Sequence, residues 1–138
     1  MSAETILQKL HTAFNNHDIE SLIDCFAPDY ASEQPVYPDR AFQGSEQVRK
    51  NWGSNFDEMP NFKSRLVNYV IAGNSVWAEW DWEGTRQDNT ILHMRGVTVF
   101  EVVNDKIKHG RLYMEPVKTG GPGIDAAIKE VMHGKKEG

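Results

Sequence analysis

The chain has 138 residues, 39% hydrophobic and 25% charged, with a net charge of −5, which fits one domain around a single core. That acidic balance, with charges of both signs interspersed, excludes the basic stripe a nucleic-acid surface needs, and no apolar run reaches membrane-spanning length. Its one cysteine, Cys25, excludes an intrachain disulfide and suits a reducing compartment. The segment MSAETILQKL lacks a basic-then-apolar signal pattern, so a cytoplasmic setting is expected. Cys25 sits among Leu22, Ile23 and Phe26 and reads as core filling.

Taken in order, residues 4–16 place Ile6, Leu7, Leu10, Ala13 and Phe14 at helical spacing on one face. Asn15-Asn16-His17 breaks that pattern. Asp18 is a natural N-cap for a second helix, carrying Ile19, Leu22, Ile23 and Phe26 as far as Pro28. A short strand is expected over residues 29–35, ended by Pro35 and Pro38, followed by the loop YPDRAFQG. Ser45 is expected to cap a third helix reaching Met59, with Val48, Trp52, Phe56 and Met59 on its buried stripe and Pro60 closing it. From Phe62 the period changes to two. Residues 63–72 and 75–84 read as strands joined at Gly73-Asn74. In the second of these, Val76, Ala78, Trp80 and Trp82 share a face predicted to be buried, and Trp77, Glu79, Asp81 and Glu83 share a wet one. After the polar segment TRQDNT, residues 95–103 and 106–117 form a long hairpin. It turns at Asn104-Asp105, which tolerate left-handed backbone, and ends at Pro116, which cannot donate to a ladder.

Helices grouped before four consecutive antiparallel strands predict an α+β domain, a curved sheet packed against N-terminal helices. That domain is placed at residues 1–119. Residues 120–138 open with the linker-like Gly-Gly-Pro-Gly and continue as an amphipathic helix and tail carrying Ile124, Ala127, Ile128, Val131 and Met132. The helix has the pattern to dock over the sheet opening or onto a second subunit.

This order, with the segments HDIESLIDCFAPDY, QGSEQVRKNW and GVTVFEVVNDKI followed by GRLYME, resembles the nuclear transport factor two-like (cone-fold) superfamily. The likeness is greatest to its SnoaL-like, ketosteroid-isomerase-like and limonene-epoxide-hydrolase-like branches and covers about residues 4–117. It implies a cone-shaped domain whose sheet and helices enclose one apolar pocket, in a homodimer built through the outer sheet face. It does not imply one activity, because the scaffold hosts isomerases, cyclases, hydrolases, dehydratases and proteins with no chemistry. The general base of the steroid isomerases, an Asp just before Pro-Val on the first strand, corresponds here to Gln34, whose amide takes no proton at neutral pH. Their acidic oxyanion donor, two residues before a Phe, corresponds to Thr98. The Arg and Asp of the limonene hydrolases correspond to Trp80 and Trp82. The acid of their last strand, also used by SnoaL-like cyclases, corresponds to Glu115 in Tyr-Met-Glu.

Glu115 is therefore the candidate catalytic residue. Beside an aromatic pocket its carboxyl would lose solvation and gain proton affinity, which suits general acid or base work. The alternative is a solvated acid at a strand end, or a partner of Arg111 or Arg95. Strand alternation puts Glu115 on the face of Tyr113 and Arg111, opposite Leu112 and Met114, unless a bulge intervenes. The expected ligand-binding residues are Tyr30, Gln34, Trp52, Trp80, Trp82 and Thr98. The aromatic ones make walls, or simply pack the core, while Gln34 and Thr98 orient a small hydrophobic or cyclic molecule. His11, His17, His93, His109 and His133 lack metal-ligand spacing, so no metal is expected, and no cofactor motif is present. His93 is expected on the strand face opposite Thr98, at an interface or in solvent. Two classes of function stay open. One is a cofactor-independent isomerase, cyclase or hydrolase using Glu115. The other is a non-catalytic hydrophobic-ligand-binding or protein-interaction domain, the latter acting through the sheet face around Trp77.

Overall fold

The computed structural model describes residues 2–134. Its elements in chain order are α1 (Ala3–Asn16), α2 (Ile19–Asp24), β1 (Phe26–Glu33), a 3-10 turn (Pro38–Arg40), β2 (Phe42–Gln43), α3 (Ser45–Glu58), β3 (Lys63–Ala72), β4 (Ser75–Thr85), β5 (Ile91–Val103), β6 (Lys106–Pro116) and α4 (Ile124–His133). The strands make one curved, unclosed sheet in the order β2-β1-β6-β5-β4-β3. The meander from β3 to β6 is antiparallel throughout, and β1 joins β6 in parallel. Helices α1 to α3 close the concave side through contacts of α1 with β3 and β4, and of α2 and α3 with β1.

The first helix buries the face expected of it, with Ile6, Leu7, Leu10, Ala13 and Phe14 all in the core. His17 ends it in left-handed backbone at φ 52°. Its ring stacks on Phe56 with centroids 4.5 Å apart, and its Nε2 lies 2.9 Å from the Phe62 carbonyl. A carbonyl only accepts, so Nε2 carries the proton. Both turn residues of the last hairpin, Asn104 and Asp105, have positive φ, as a two-residue turn matching the strand twist requires. Strand β4 buries Val76, Ala78, Trp80 and Trp82 and exposes Trp77. Both buried indoles are satisfied, Trp80 Nε1 donating to Thr98 Oγ1 at 2.8 Å and Trp82 Nε1 to Ser64 Oγ at 3.0 Å. Cys25 is fully buried, and burial pushes its thiol up to about 11.

Several local expectations are corrected. Helix α2 ends at Asp24 rather than running to Phe26, and β1 spans Phe26–Glu33 instead of residues 29–35. Pro28 lies inside that strand, where the register against β6 shifts between Phe26 and Ala31. The missing proline N–H thus falls where the ladder is already interrupted. The stretch read as loop holds the 3-10 turn and β2, which at two residues is too short to show a period. Ser45 is the first helical residue of α3 rather than its cap. Gly44 occupies the N-cap at φ 103°, with no side-chain cap bond.

An electrostatic clasp joins three elements around Asp24. Its carboxylate accepts from Lys9 of α1 and, at 2.9 Å, from Lys106 of β6. These bonds hold its pKa down at about 2, against an ordinary 3.8. The folded value lies below the unfolded one, so the clasp stabilises above about pH 4 and loses its contribution as pH falls through about 2. Asp24 is 57% exposed, and solvent screening keeps the gain small. Asp24→Asn should therefore cost under about 1 kcal/mol in urea unfolding at pH 7, and nothing below pH 2. A larger loss at neutral pH would mean that the carboxylate carries more than the clasp.

Helix α4 leaves Ile124, Ile128, Val131 and Met132 exposed. Among the described residues, no helix is long and apolar enough to cross a membrane.

Candidate functional site

A cavity of about 90 Å³ lies between the concave face of the sheet and α1 and α3. Strand alternation aims Tyr30 and Ser32 from β1 into it, Trp80 and Trp82 from β4, Thr98 and Phe100 from β5, and Leu112 from β6, and Gln34 joins them from just past the end of β1. Helix α3 adds Val48, Asn51 and Trp52, and α1 adds Phe14. Tyr30, Gln34, Trp52, Trp80, Trp82 and Thr98 are thus brought together around one space. The cavity is small because the rings fill much of the cone. Trp52 meets Trp82 edge-on at 5.2 Å and 89°, and Phe14 lies 4.5 Å from Trp52. The free volume falls below the roughly 150 Å³ that holds benzene in an apolar protein interior, so a ring enters only if a wall residue gives. Trp52 is the half-buried indole of that wall.

Among the described residues, none of the side chains lining the cavity is an Asp, Glu, Lys, Arg or His. Its polar groups are the hydroxyls of Tyr30, Ser32 and Thr98 and the amides of Gln34 and Asn51. Burial pushes the Tyr30 phenol up to about 12, with a hydrogen bond to Ser32 opposing the shift, so at neutral pH it is a neutral hydroxyl. Thr98 Oγ1 accepts from Trp80, which leaves its O–H as a donor. Gln34 Oε1 accepts from Arg40 Nη1 at 3.1 Å. Ser32 was legible from alternation with Tyr30 and Gln34, whereas a polar Asn51 on a helix carries no such signal.

Glu115 is not among the lining residues. Strand β6 runs against β5 without interruption from Gly110 to Pro116, and Glu115 faces Arg95 in that register. With no bulge to reverse it, alternation puts Met114 in the core and Glu115 on the other face. There its Oε2 accepts from the Tyr37 hydroxyl at 3.1 Å.

The outer face holds a second group of chemistry-bearing residues. Asp81, Glu83 and His93 bring ligand atoms within 4.8 Å of one another, because Glu83 and His93 are register partners and Asp81 is two residues along β4. A hairpin pairing leaves no linear motif, so the histidine spacing did not reveal it. Asp81 also pairs with Arg65 at 3.0 Å and Arg95 at 3.6 Å. Burial would raise its pKa, but the bonds from Arg65 and His93 outweigh it and the net shift is downward. The group as it stands is an ion-pair network. Beside it, an open groove of about 480 Å³ is bordered by Asn15, Lys63, Ser64, Arg65, Asp81 and Glu83.

The fold is shared with several solved structures. IdmH from Streptomyces antibioticus, a candidate polyketide cyclase, gives a TM-score of 0.72 at 17% identity, covering 83% of this chain and 93% of that one. An LEH-like epoxide hydrolase of M. tuberculosis gives 0.70 at 16% identity, covering 82% of each chain. A protein of ketosteroid isomerase-like fold from Catenulispora acidiphila, in complex with trimethylamine, gives 0.68 at 18% identity over 82% and 86%. At such identities the likeness is one of fold. No curated relative matches the sequence. Residues 7–110, well over half of the chain, match the SnoaL-like domain, and with this architecture the chain belongs to the SnoaL-like family of the nuclear transport factor two-like superfamily.

Proposed function

We propose that this domain binds a small, neutral, single-ring molecule carrying an oxygen, and that the cavity itself supplies no charged acid or base. The observation that carries this reading is the lining: aromatic and aliphatic walls with only neutral polar groups. A carboxylate or ammonium entering such a site would shed its water without gaining a counter-charge, at a cost of several kcal/mol, roughly, per ion. A neutral ring loses little and gains buried apolar area.

The experiment is a thermal-shift titration with acetophenone and benzoate. Acetophenone should raise the melting temperature by mass action and benzoate should not. Trp52→Ala should weaken acetophenone binding about tenfold, by removing one aromatic wall worth about 1.5 kcal/mol of contact. Stabilisation by benzoate equal to that by acetophenone would sink the neutral-ligand reading.

The enzyme reading built on Glu115 differs in one result. It requires that Glu115→Gln abolish turnover of a ring substrate, whereas the binding reading expects no chemistry that depends on that carboxylate. The proposal extends to a homodimer through the outer sheet face, where Val70, Trp77 and Tyr113 are exposed. Trp77→Ala should then shift the sedimentation equilibrium toward monomer. A cytoplasmic setting fits the single buried thiol.

A further inference from the structure

The segment that leaves β1 passes beside the end of β6 and is fastened there. Tyr37 donates its hydroxyl to Glu115 Oε2 at 3.1 Å. The Arg40 guanidinium lies over the Tyr37 ring, 3.9 Å from its centroid. Arg40 Nη1 donates to Gln34 Oε1 at 3.1 Å. Two backbone bonds fold the segment back on itself, Tyr37 N–H to Gln34 O at 2.7 Å and Arg40 N–H to Tyr37 O at 3.0 Å. Pro35 and Pro38 fix two of its φ angles. Of these four side chains, Gln34 alone lines the cavity.

We infer that Glu115, Tyr37 and Arg40 form a strap that sets the orientation of the Gln34 amide, so that the cavity presents an N–H donor and selects ligands with an acceptor oxygen. This rests on the cavity being the binding site proposed above. A guanidinium has donors and no acceptor, so the oxygen end of the amide must face Arg40 and the NH₂ end is what remains for a ligand. Released from Arg40, the amide is free to turn over and offer its oxygen instead, and the preference for an acceptor disappears. Each link is exposed and weak alone; the stacked ring, the prolines and the backbone turns make them act together. Glu115, Tyr37 and Arg40 are positioning residues, and Gln34 is the group that touches the ligand.

The test uses the full chain labelled with ¹⁵N, titrated with acetophenone and with ethylbenzene, which has the ring but no acceptor. The Trp indole N–H resonances report binding, and the Gln34 side-chain amide reports the strap. Wild type should prefer acetophenone by about fivefold, the worth of one net hydrogen bond. Tyr37→Phe, Arg40→Leu and Glu115→Ala should bring the ratio toward one while ethylbenzene affinity stays within about twofold, since apolar contact is untouched. Glu115→Gln, whose amide oxygen still accepts from Tyr37, should keep the preference. Without ligand, the Gln34 amide resonances should move in Tyr37→Phe and Arg40→Leu. An unchanged ratio with unmoved Gln34 resonances overturns the strap and leaves the binding site standing. If neither probe perturbs the indoles, the binding site is overturned, and the Gln34 resonances of the unliganded variants still decide whether the strap orients the amide.

Discussion

Gly96→Ala should cost at least about 3 kcal/mol of stability, or abolish folding. A Cβ built at Gly96 stands 2.0 Å from the Tyr113 carbonyl oxygen and 2.8 Å from the Met114 Cα. Both are backbone atoms of β6, so no side chain can swing away. Gly96 pairs with Trp80 on one side and Met114 on the other, at the middle of the sheet. Relieving the contact means parting β5 from β6 and losing ladder bonds at the strand pair that carries Thr98 and Leu112. The control is Gly84→Ala, whose Cβ meets the Met59 side chain, with the sulfur at 2.8 Å. That chain is flexible, and the expected cost is about 1 kcal/mol. Urea unfolding followed by circular dichroism separates the two. A Gly96→Ala protein within 1 kcal/mol of wild type, on the order of the control, would mean that the strands part more easily than their geometry implies.

Trp80→Ala should destabilise by about 3–5 kcal/mol. The side chain is 0% exposed and its ring meets Phe14 edge-on at 5.5 Å and 89°. Thr98 is the one partner of its N–H among the described contacts. Thr98→Val isolates the polar part of that loss. It strands the indole N–H in the core, at a cost of about 1–3 kcal/mol. Adding Trp80→Phe removes the stranded donor, so the double variant should lose less than the sum of the singles. Strict additivity in denaturant titrations would show that the bond contributes nothing. If Trp80→Ala folds, the emptied space should admit larger rings than wild type does.

The alternating strands were legible to within a few residues, β5 starting at Ile91 rather than at residue 95. Trp80, Trp82, Thr98 and Gln34 were assigned to one enclosure by parity and resemblance, and they line one cavity. Strand parity sets Glu115 on the face opposite to the one its family position suggests, and the uninterrupted register of β5 and β6 bears the parity out. The end of α2 was misread because Phe26 fits both a helical stripe and an inward strand position, and only the pairing with Ile107 decides between them. The Arg40–Tyr37–Glu115 chain was out of reach, since it joins residues 78 apart in sequence through one hydroxyl. Gly96 looked like any glycine in a strand; its constraint comes from a backbone that only the folded sheet brings close.

The parallel pairing of β1 with β6 has a consequence for synthesis. Phe26 pairs with Ile107, so a strand made early must wait for one made late, and such long-range closure slows folding. The meander from β3 to β6 consists of neighbours in sequence and can assemble as it emerges. On a ribosome, therefore, α1, α2 and β1 exist for seconds with their apolar faces unmatched, at about 5–20 residues per second. That interval is when the nascent chain is most exposed to aggregation and most in need of a holding chaperone.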